Sequence, residues 1–281
     1  MQQSNTNTQQ VLVTGGTGKT GKRIAQLLRS QGIPVRIGSR AAVPAFDWEN
    51  STTWAAALDG TDAVYISFQP DLAVPGAVET IRRFTAAAVQ NGVHHLVLLS
   101  GRGEKEAADC EQIVMQAGAD WTVLRASWFN QNFSEGNFLD AIREGELALP
   151  VGDTPEPFVD VDDIAAVAAA VFTDARHRHH LYELTGPRLL TFADAVQEIA
   201  RATGRDIRYT QIPATAYTAG MEGYGVPEVY IQLLNYLFTE VLDGRNAYVT
   251  DGVQQVLGRP PRDFANYARA TAATGVWGMA E

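Results

Sequence analysis

The chain has 281 residues, 46% of them hydrophobic and 19% charged, which is enough apolar material for a sizeable core and outside the composition of a disordered chain. A formal net charge of −10 lacks the clustered Lys and Arg that nucleic acid or an anionic bilayer would need. The single cysteine, Cys110, excludes an internal disulfide, and no stretch of about 18 uncharged apolar residues is available to span a membrane, so a cytoplasmic protein with a small-molecule partner is expected, as a monomer or a small homo-oligomer.

In chain order, residues 1–10 (MQQSNTNTQQ) carry neither an apolar run nor a basic cluster and read as a disordered polar lead, not a targeting segment. Order is expected from Val11. Residues 11–13 form a short apolar run followed at once by TGGTGKTG. Ile24, Leu27 and Leu28 then recur at helical spacing, with Gly32 as a stop signal. Residues 35–40 (VRIGSR) read as a strand, as do 62–67, 94–100 and 121–125, with helices expected over 75–91 and 105–116. Strands alternating with helices predict an α/β fold, a Rossmann-type doubly wound parallel sheet. Residues 67–70 are expected to end its fourth strand and 99–101 its fifth. After Arg125 the pattern changes: an aromatic-polar segment, an acidic start to an Ala/Val helix with Asp160, Asp162 and Asp163 and a cap at Asp162, a returning strand at 181–186, and an amphipathic helix capped by Thr191. The stretch from Pro213 onward is mostly helical. The expected division is a dinucleotide-binding core over about 11–126 and 160–186, with a small, mostly helical lobe from 127–159 and 187–281, lying over the carboxyl ends of the strands.

Gly15, Gly18 and Gly21 stand in G-x-x-G-x-x-G spacing between a strand and a helix. Gly15 permits a tight turn, Gly18 lets the backbone approach a pyrophosphate, and Gly21 lets helix and strand pack closely, while the helix N-terminus offers N–H groups to the phosphates. Thr17, Lys19 and Thr20 lie in the same loop, and the spacing is not that of a P-loop. An NAD site usually ends its second strand in an acidic residue; here Ser39 and Arg40 stand there and suit a 2′-phosphate, so the cofactor is expected to be NADPH. The alternative is a solvated arginine. Arg36 could add positive charge nearby. Asp47, beside Trp48, is placed to accept from an adenine amino group or to make an ordinary turn. Ser67, Phe68 and Gln69 should border the ribose, and Ser100 the nicotinamide.

The pieces TGGTGKTG, SR, FDW, VLLSG, TVLRASWFNQNFSE, PFVDVDDIAAVA, TGPRLLTFADA and LGRPPRDFANYA, in this order, resemble the NmrA-like atypical short-chain dehydrogenases, and most of all the ergot-alkaloid reductases among them. The resemblance implies NADPH-dependent reduction of an iminium carbon in a polycyclic amine, with Gly15, Gly18 and Gly21 on the pyrophosphate, Arg40 on the 2′-phosphate, Asp47 on adenine, and Trp128, Phe129 and Asn132 toward the substrate. The usual Tyr-x-x-x-Lys pair of short-chain dehydrogenases is missing, leaving Ser100 as the one residue that resembles their catalytic set. An iminium needs no proton donor at the hydride step, and aromatic faces suit its charge; Phe133, Phe138, Tyr217, Tyr224 and Tyr230 join Trp128 and Phe129 as candidates for its pocket, against a plain core role. Glu104, Glu106, Asp109 and Glu111 read mainly as a solvated helix face, with Glu111 alternatively orienting a substrate cation or stabilising the helix; His177, His179 and His180 read as a surface loop with no metal, and Cys110 as an inert thiol. Two other functions remain open on the same frame: an NADP(H)-sensing regulator without turnover, and a quinone or enone reductase.

Overall fold

The computed structural model describes residues 9–278. Most of the polar lead lies outside the described residues, but Gln10 is tied down by a bond from its N–H to Asp62 Oδ2 (2.8 Å). β1 (Val11–Thr14) leads into α1 (Lys19–Ser30) and β2 (Val35–Gly38); a short α2 (Trp54–Leu58) precedes β3 (Ala63–Ile66). Then come α3 (Ala77–Gln90), β4 (His95–Gly101), α4 (Lys105–Met115) and β5 (Asp120–Ala126). The remaining elements are α5 (Leu139–Glu144), β6 (Glu146–Leu149), α6 (Val161–Thr173), β7 (His180–Leu184), α7 (Phe192–Thr203), β8 (Arg208–Gln211), α8 (Ala214–Gly223), α9 (Glu228–Tyr236), α10 (Gly252–Leu257) and α11 (Phe264–Ala272).

Six strands make one sheet in the order β2-β1-β3-β4-β5-β7, with the β1–β2, β1–β3 and β3–β4 pairs parallel, a Rossmann-type arrangement. From β1 the chain moves to one edge for β2, then crosses back past β1 for β3. Loops leaving β1 and β3 therefore diverge, and the crevice they open at the carboxyl ends is where such sheets bind ligands. β1 and β3 are buried along their whole length, which is why VLV and AVYI are continuous apolar runs instead of alternating ones. No strand intervenes between β2 and β3, so residues 67–70 follow the third strand and 99–101 end the fourth, where the fourth and fifth were expected. Between them, Asp47 Oδ1 accepts from the Glu49 N–H (3.0 Å) and Asn50 Oδ1 from the Thr52 N–H (3.2 Å). Side-chain acceptors thus take the backbone donors that a strand would need.

The chain divides into two compact units. The first takes in Glu106–Leu124, Ala165–Tyr182 and the described part of Met1–Ser100; the second takes in Gly101–Lys105, Arg125–Ile164 and the described part of Glu183–Glu281. Residues 101–105, 125–126, 160–164 and 183–186, expected in the core, fall in the second unit. Their polar groups explain it: Glu183 holds Arg125 (2.8 Å) and Tyr248 (3.1 Å), and Thr185 bonds to Thr250. In the first unit, Leu12, Val64, Ile66, Leu96 and Leu98 pack with Ile81, Phe84 and Ala88 of α3 and with Ala107, Cys110 and Val114 of α4, positions three or four apart that form one helix face.

The second unit has its own aromatic core, in which Phe133, Phe158, Phe192 and Phe264 meet Ile199 of α7 and Trp277, whose indole N–H donates to the Phe133 carbonyl (2.8 Å). It also holds a two-stranded parallel sheet of β6 and β8, which the sequence reading missed. α6 is capped by Asp160, not Asp162: Asp160 Oδ1 accepts from the Asp162 N–H (2.9 Å), while Asp162 pairs with Arg262 (2.6 Å). α7 begins as expected, with Thr191 and Asp194 forming a reciprocal capping box. Thr191→Ala should cost about 1 kcal/mol and lower the melting temperature by roughly 2–4 °C; an unchanged melting curve would show that the box contributes nothing. Among the described residues no helix is long and apolar enough to cross a membrane, and no group of three His, Cys, Asp or Glu could hold a metal ion.

Candidate functional site

The first unit builds a glycine turn between β1 and α1, at the crevice between β1 and β3. Gly15 has φ +61°, a left-handed conformation that favours glycine. A Cβ on Gly21 would overlap the Gly15 carbonyl oxygen, so only glycine lets α1 start this close to the turn. The buried Thr14 hydroxyl donates to the Tyr65 carbonyl (2.9 Å) and accepts from the Ser67 N–H (2.9 Å), locking the end of β1 to the end of β3. Gly18 caps α1 without a side-chain cap hydrogen bond, and the first turn contains no acidic residue. A Cβ on Gly18 would enter the space in front of the Gln69 amide, 3.6 Å from its nitrogen. Backbone donors at a positive helix end beside that space are an arrangement that could hold an anion. Thr17 is exposed at its mouth, Gly18 and Lys19 are half-buried, and Thr20 is buried under the first turn of α1.

At the end of β2, Ser39 turns the chain, its carbonyl accepting from Ala42 and Phe46. The adjacent Arg40 is exposed, and its guanidinium engages no other described side chain. Arg36 does not join it: its guanidinium is bound to the Ala57 carbonyl (2.8 Å) and the Asp59 carbonyl. Asp47 is pinned by several bonds, among them its N–H to Thr53 Oγ1 (3.0 Å), its carbonyl to the Trp54 indole (2.8 Å) and its carboxylate to the Glu49 N–H. Beside it Trp48 is half-buried, packs on Phe46 and Phe84 (ring centroids 4.9 Å from each) and on Phe68 (5.1 Å), and donates to the Ser67 carbonyl (3.3 Å). Asp47, Trp48, Ser67 and Phe68 are thereby brought together on one wall; Gln69 is exposed beside them.

Ser100 ends β4 buried, and its hydroxyl donates to Glu111 Oε1 on α4 at 2.6 Å. Glu111 is 1% exposed, which overturns its reading as part of a solvated helix face; α4 turns Ala107, Cys110, Glu111 and Val114 inward together. Burial pushes the Cys110 thiol up to about 12, with the nearby acidic charges adding to the effect, so the thiolate needed for nucleophilic chemistry is suppressed. His177 and His179 hydrogen-bond to Tyr182 and Asp120 respectively (2.8 Å each), a structural use consistent with a surface loop.

In the second unit Trp128 is half-buried and stacks on Phe238 (5.2 Å, 18°) and on Phe138 (6.4 Å, 13°); Tyr217 meets Phe238 edge-on (5.5 Å). Phe129 and Asn132 are half-buried on the same segment. Phe133 is fully buried, with rings of Phe138, Phe158 and Phe264 around it at 5.3–5.7 Å, so it packs as core. Tyr224 is 90% exposed and Tyr230 41%, apart from that cluster.

Three buried polar residues here were missed by the sequence reading. Arg102, 4% exposed, donates to Ser127 Oγ (2.8 Å) and to the carbonyls of Asn246 and Tyr248, and lies over the Tyr248 ring (4.3 Å). Asn130 and Glu156 are buried with neither side-chain polar atom hydrogen-bonded. Burial raises the Glu156 carboxyl to about 7, against the attraction of Arg102. A carboxyl whose folded value is raised keeps its proton when the unfolded chain has already lost it, so its stabilising effect is full below about pH 4.5 and is lost as pH rises to about 7. Glu156→Gln should therefore gain on the order of 2 kcal/mol over the unsubstituted chain between pH 5 and pH 8, read as a widening difference in melting temperature. A difference constant across that range would sink the assignment.

The NmrA-like family model matches residues 7–266. An NAD(P)H azoreductase from Xenophilus azovorans is 32% identical over 285 residues, covering 94% of this chain and 98% of the relative. Agroclavine dehydrogenase from Claviceps fusiformis is 30% identical, covering 92% and 95%. The fold is similar to that of an Escherichia coli NADPH-dependent quinone oxidoreductase complexed with NADPH, with a TM-score of 0.77 at 20% identity, covering 92% of this chain and 99% of that one. With the family pattern running from before β1 into α11 and full-length relatives above 30% identity, this chain belongs to the NmrA-like family.

Proposed function

We propose that the protein is an NADPH-dependent reductase that delivers hydride to the imine or iminium carbon of a small cyclic molecule. The observation that carries the dinucleotide reading is the uncapped N-terminus of α1 behind Gly18, at the reversal of strand order. Its residues fit the group: Gly15 and Gly21 shape the turn, the α1 N–H groups and Thr17 take the pyrophosphate, Ser39 and Arg40 take the 2′-phosphate, Asp47 and Trp48 hold the adenine, and Ser67, Phe68 and Gln69 border the ribose. The oxidoreductase class is supported by the relatives, an azoreductase and a clavine dehydrogenase.

When bound, the reduced nicotinamide supplies a hydride from its ring. At an iminium carbon the π pair moves to nitrogen as hydride adds, leaving a neutral amine, so the chain need not deliver a proton. This suits a protein without Tyr-x-x-x-Lys whose Ser100 hydroxyl is already donated to Glu111. Orientation and the exclusion of water are then the protein's main contributions. The half-buried faces of Trp128 and Phe129 suit a delocalised cation.

The deciding experiment follows NADPH oxidation by absorbance with a cyclic imine, a quinone and an enal in turn. Turnover chiefly on the imine supports the proposal. Turnover on quinone or enal alone replaces the substrate class, and tight NADPH binding without turnover on any of them replaces the enzyme by a sensor.

A further inference from the structure

The hydroxyl of Ser100 differs from the serine of a carbonyl-reducing dehydrogenase in what it can offer. A serine hydroxyl has one proton to donate and two lone pairs. At Ser100 the proton is directed to Glu111 Oε1 at 2.6 Å, and both residues are buried, at 3% and 1% exposure. The bond is fixed by secondary structure at both ends: Ser100 ends β4, and Glu111 sits two turns into α4 on the face that also buries Ala107, Cys110 and Val114. Buried, this bond is not traded freely for water, and breaking it would leave Glu111 without one of its donors. Ser100 therefore has only lone pairs left for a group that reaches it at the carboxyl end of β4.

From this we infer that Ser100, held by Glu111, is a specificity-determining acceptor that selects substrates bearing an N–H or a positive charge and works against those that develop an oxyanion. The inference rests on the proposed placement of the nicotinamide at the end of β4. A protonated imine meets an oxygen lone pair backed by a carboxyl group, a favourable charge-assisted contact. A quinone or ketone oxygen gains negative charge as hydride adds and would need a donor there; at this position the donor is already engaged. Specificity built in this way depends on the unfavourable pairing as much as the favourable one.

Two substitutions and one binding comparison test it. Ser100→Ala removes the acceptor. Glu111→Gln keeps the size of the side chain, removes its charge and allows its amide to donate to Ser100, freeing the serine proton. Each variant is first checked for NADPH affinity and melting temperature. The ratio of kcat/KM for 3,4-dihydroisoquinoline to that for a benzoquinone should fall at least tenfold in both. An equal loss on both substrates, or a ratio unchanged within twofold, overturns the inference and leaves the pair a structural one. The comparison on the unsubstituted protein needs no turnover: with NADP⁺ present at pH 7, protonated tetrahydroisoquinoline should bind at least tenfold more tightly than its neutral isostere tetralin. Equal binding overturns the acceptor role. If the cation is preferred but no imine is reduced, the hydride-transfer reading fails while the charge selection stands.

Discussion

Arg40→Ala is expected to weaken NADPH binding by about 100-fold and NADH binding by no more than about threefold. The guanidinium is exposed at the end of β2 and engages no other described side chain, so its removal breaks nothing in the fold and the change is a clean measure of ligand contact. Hydrogen bonds to a charged group contribute about 1.5–3 kcal/mol each, and every 1.4 kcal/mol is tenfold in affinity; a fork of donors on a phosphate uses more than one of them. NADH lacks the 2′-phosphate and loses only a weak long-range attraction. Arg36 is turned to another task, its Nη1 held on the Ala57 and Asp59 carbonyls. Titration of protein fluorescence with each nucleotide reads both constants. Equal weakening of the two nucleotides would remove Arg40 from the 2′-phosphate and with it the preference for NADPH.

Arg102→Ala should destabilise the protein by about 3 kcal/mol or more, lowering the melting temperature by roughly 6–12 °C. Arg102 joins Ser127, Asn246 and Tyr248 and lies 3.5 Å from Glu183, all within the second unit. Truncation opens a cavity over the Tyr248 ring and leaves the Ser127 hydroxyl and two carbonyls without their donor. Glu183 keeps Arg125 at 2.8 Å and the Tyr248 hydroxyl, so a stranded carboxylate contributes little and the loss belongs to the arginine. Arg102→Lys should recover only part of it, because one ammonium cannot reproduce the planar fork. Denaturant unfolding checks the magnitude; a loss under 1 kcal/mol would mean that the network is incidental to stability.

These two arginines divide what could be read early from what could not. The place of Arg40 was legible because it is set locally: it follows a strand that comes after a glycine turn, and both features lie within one βαβ unit. The same holds for Gly15 and Gly21, where backbone conformation and close approach demand glycine, and for the Thr191 cap, which bonds within one turn. Arg102 gave no signal. It follows a strand, and only segments more than 140 residues later, at Asn246 and Tyr248, bury it.

Glu111 was misread for a related reason: an acidic helix was taken as solvated, yet α4 turns that one carboxylate inward to meet Ser100. Trp128 and Phe133 were named together from one aromatic segment, but packing leaves the first half-buried and encloses the second.

The sequence alone determined the α/β periodicity, the glycine turn between β1 and α1, the charge at the end of β2 and the lack of a proton-donating Tyr-x-x-x-Lys pair. All of these follow from backbone sterics, hydrophobic period or residue type over short spans. Tertiary structure alone decided the strand order that opens a crevice between β1 and β3, the pairing of β6 with β8, the burial of Arg102, Asn130 and Glu156, and the direction in which the Ser100 hydroxyl gives its proton. Each of these depends on which distant segments exclude water from a given side chain, and a polar residue's own spacing carries no record of that.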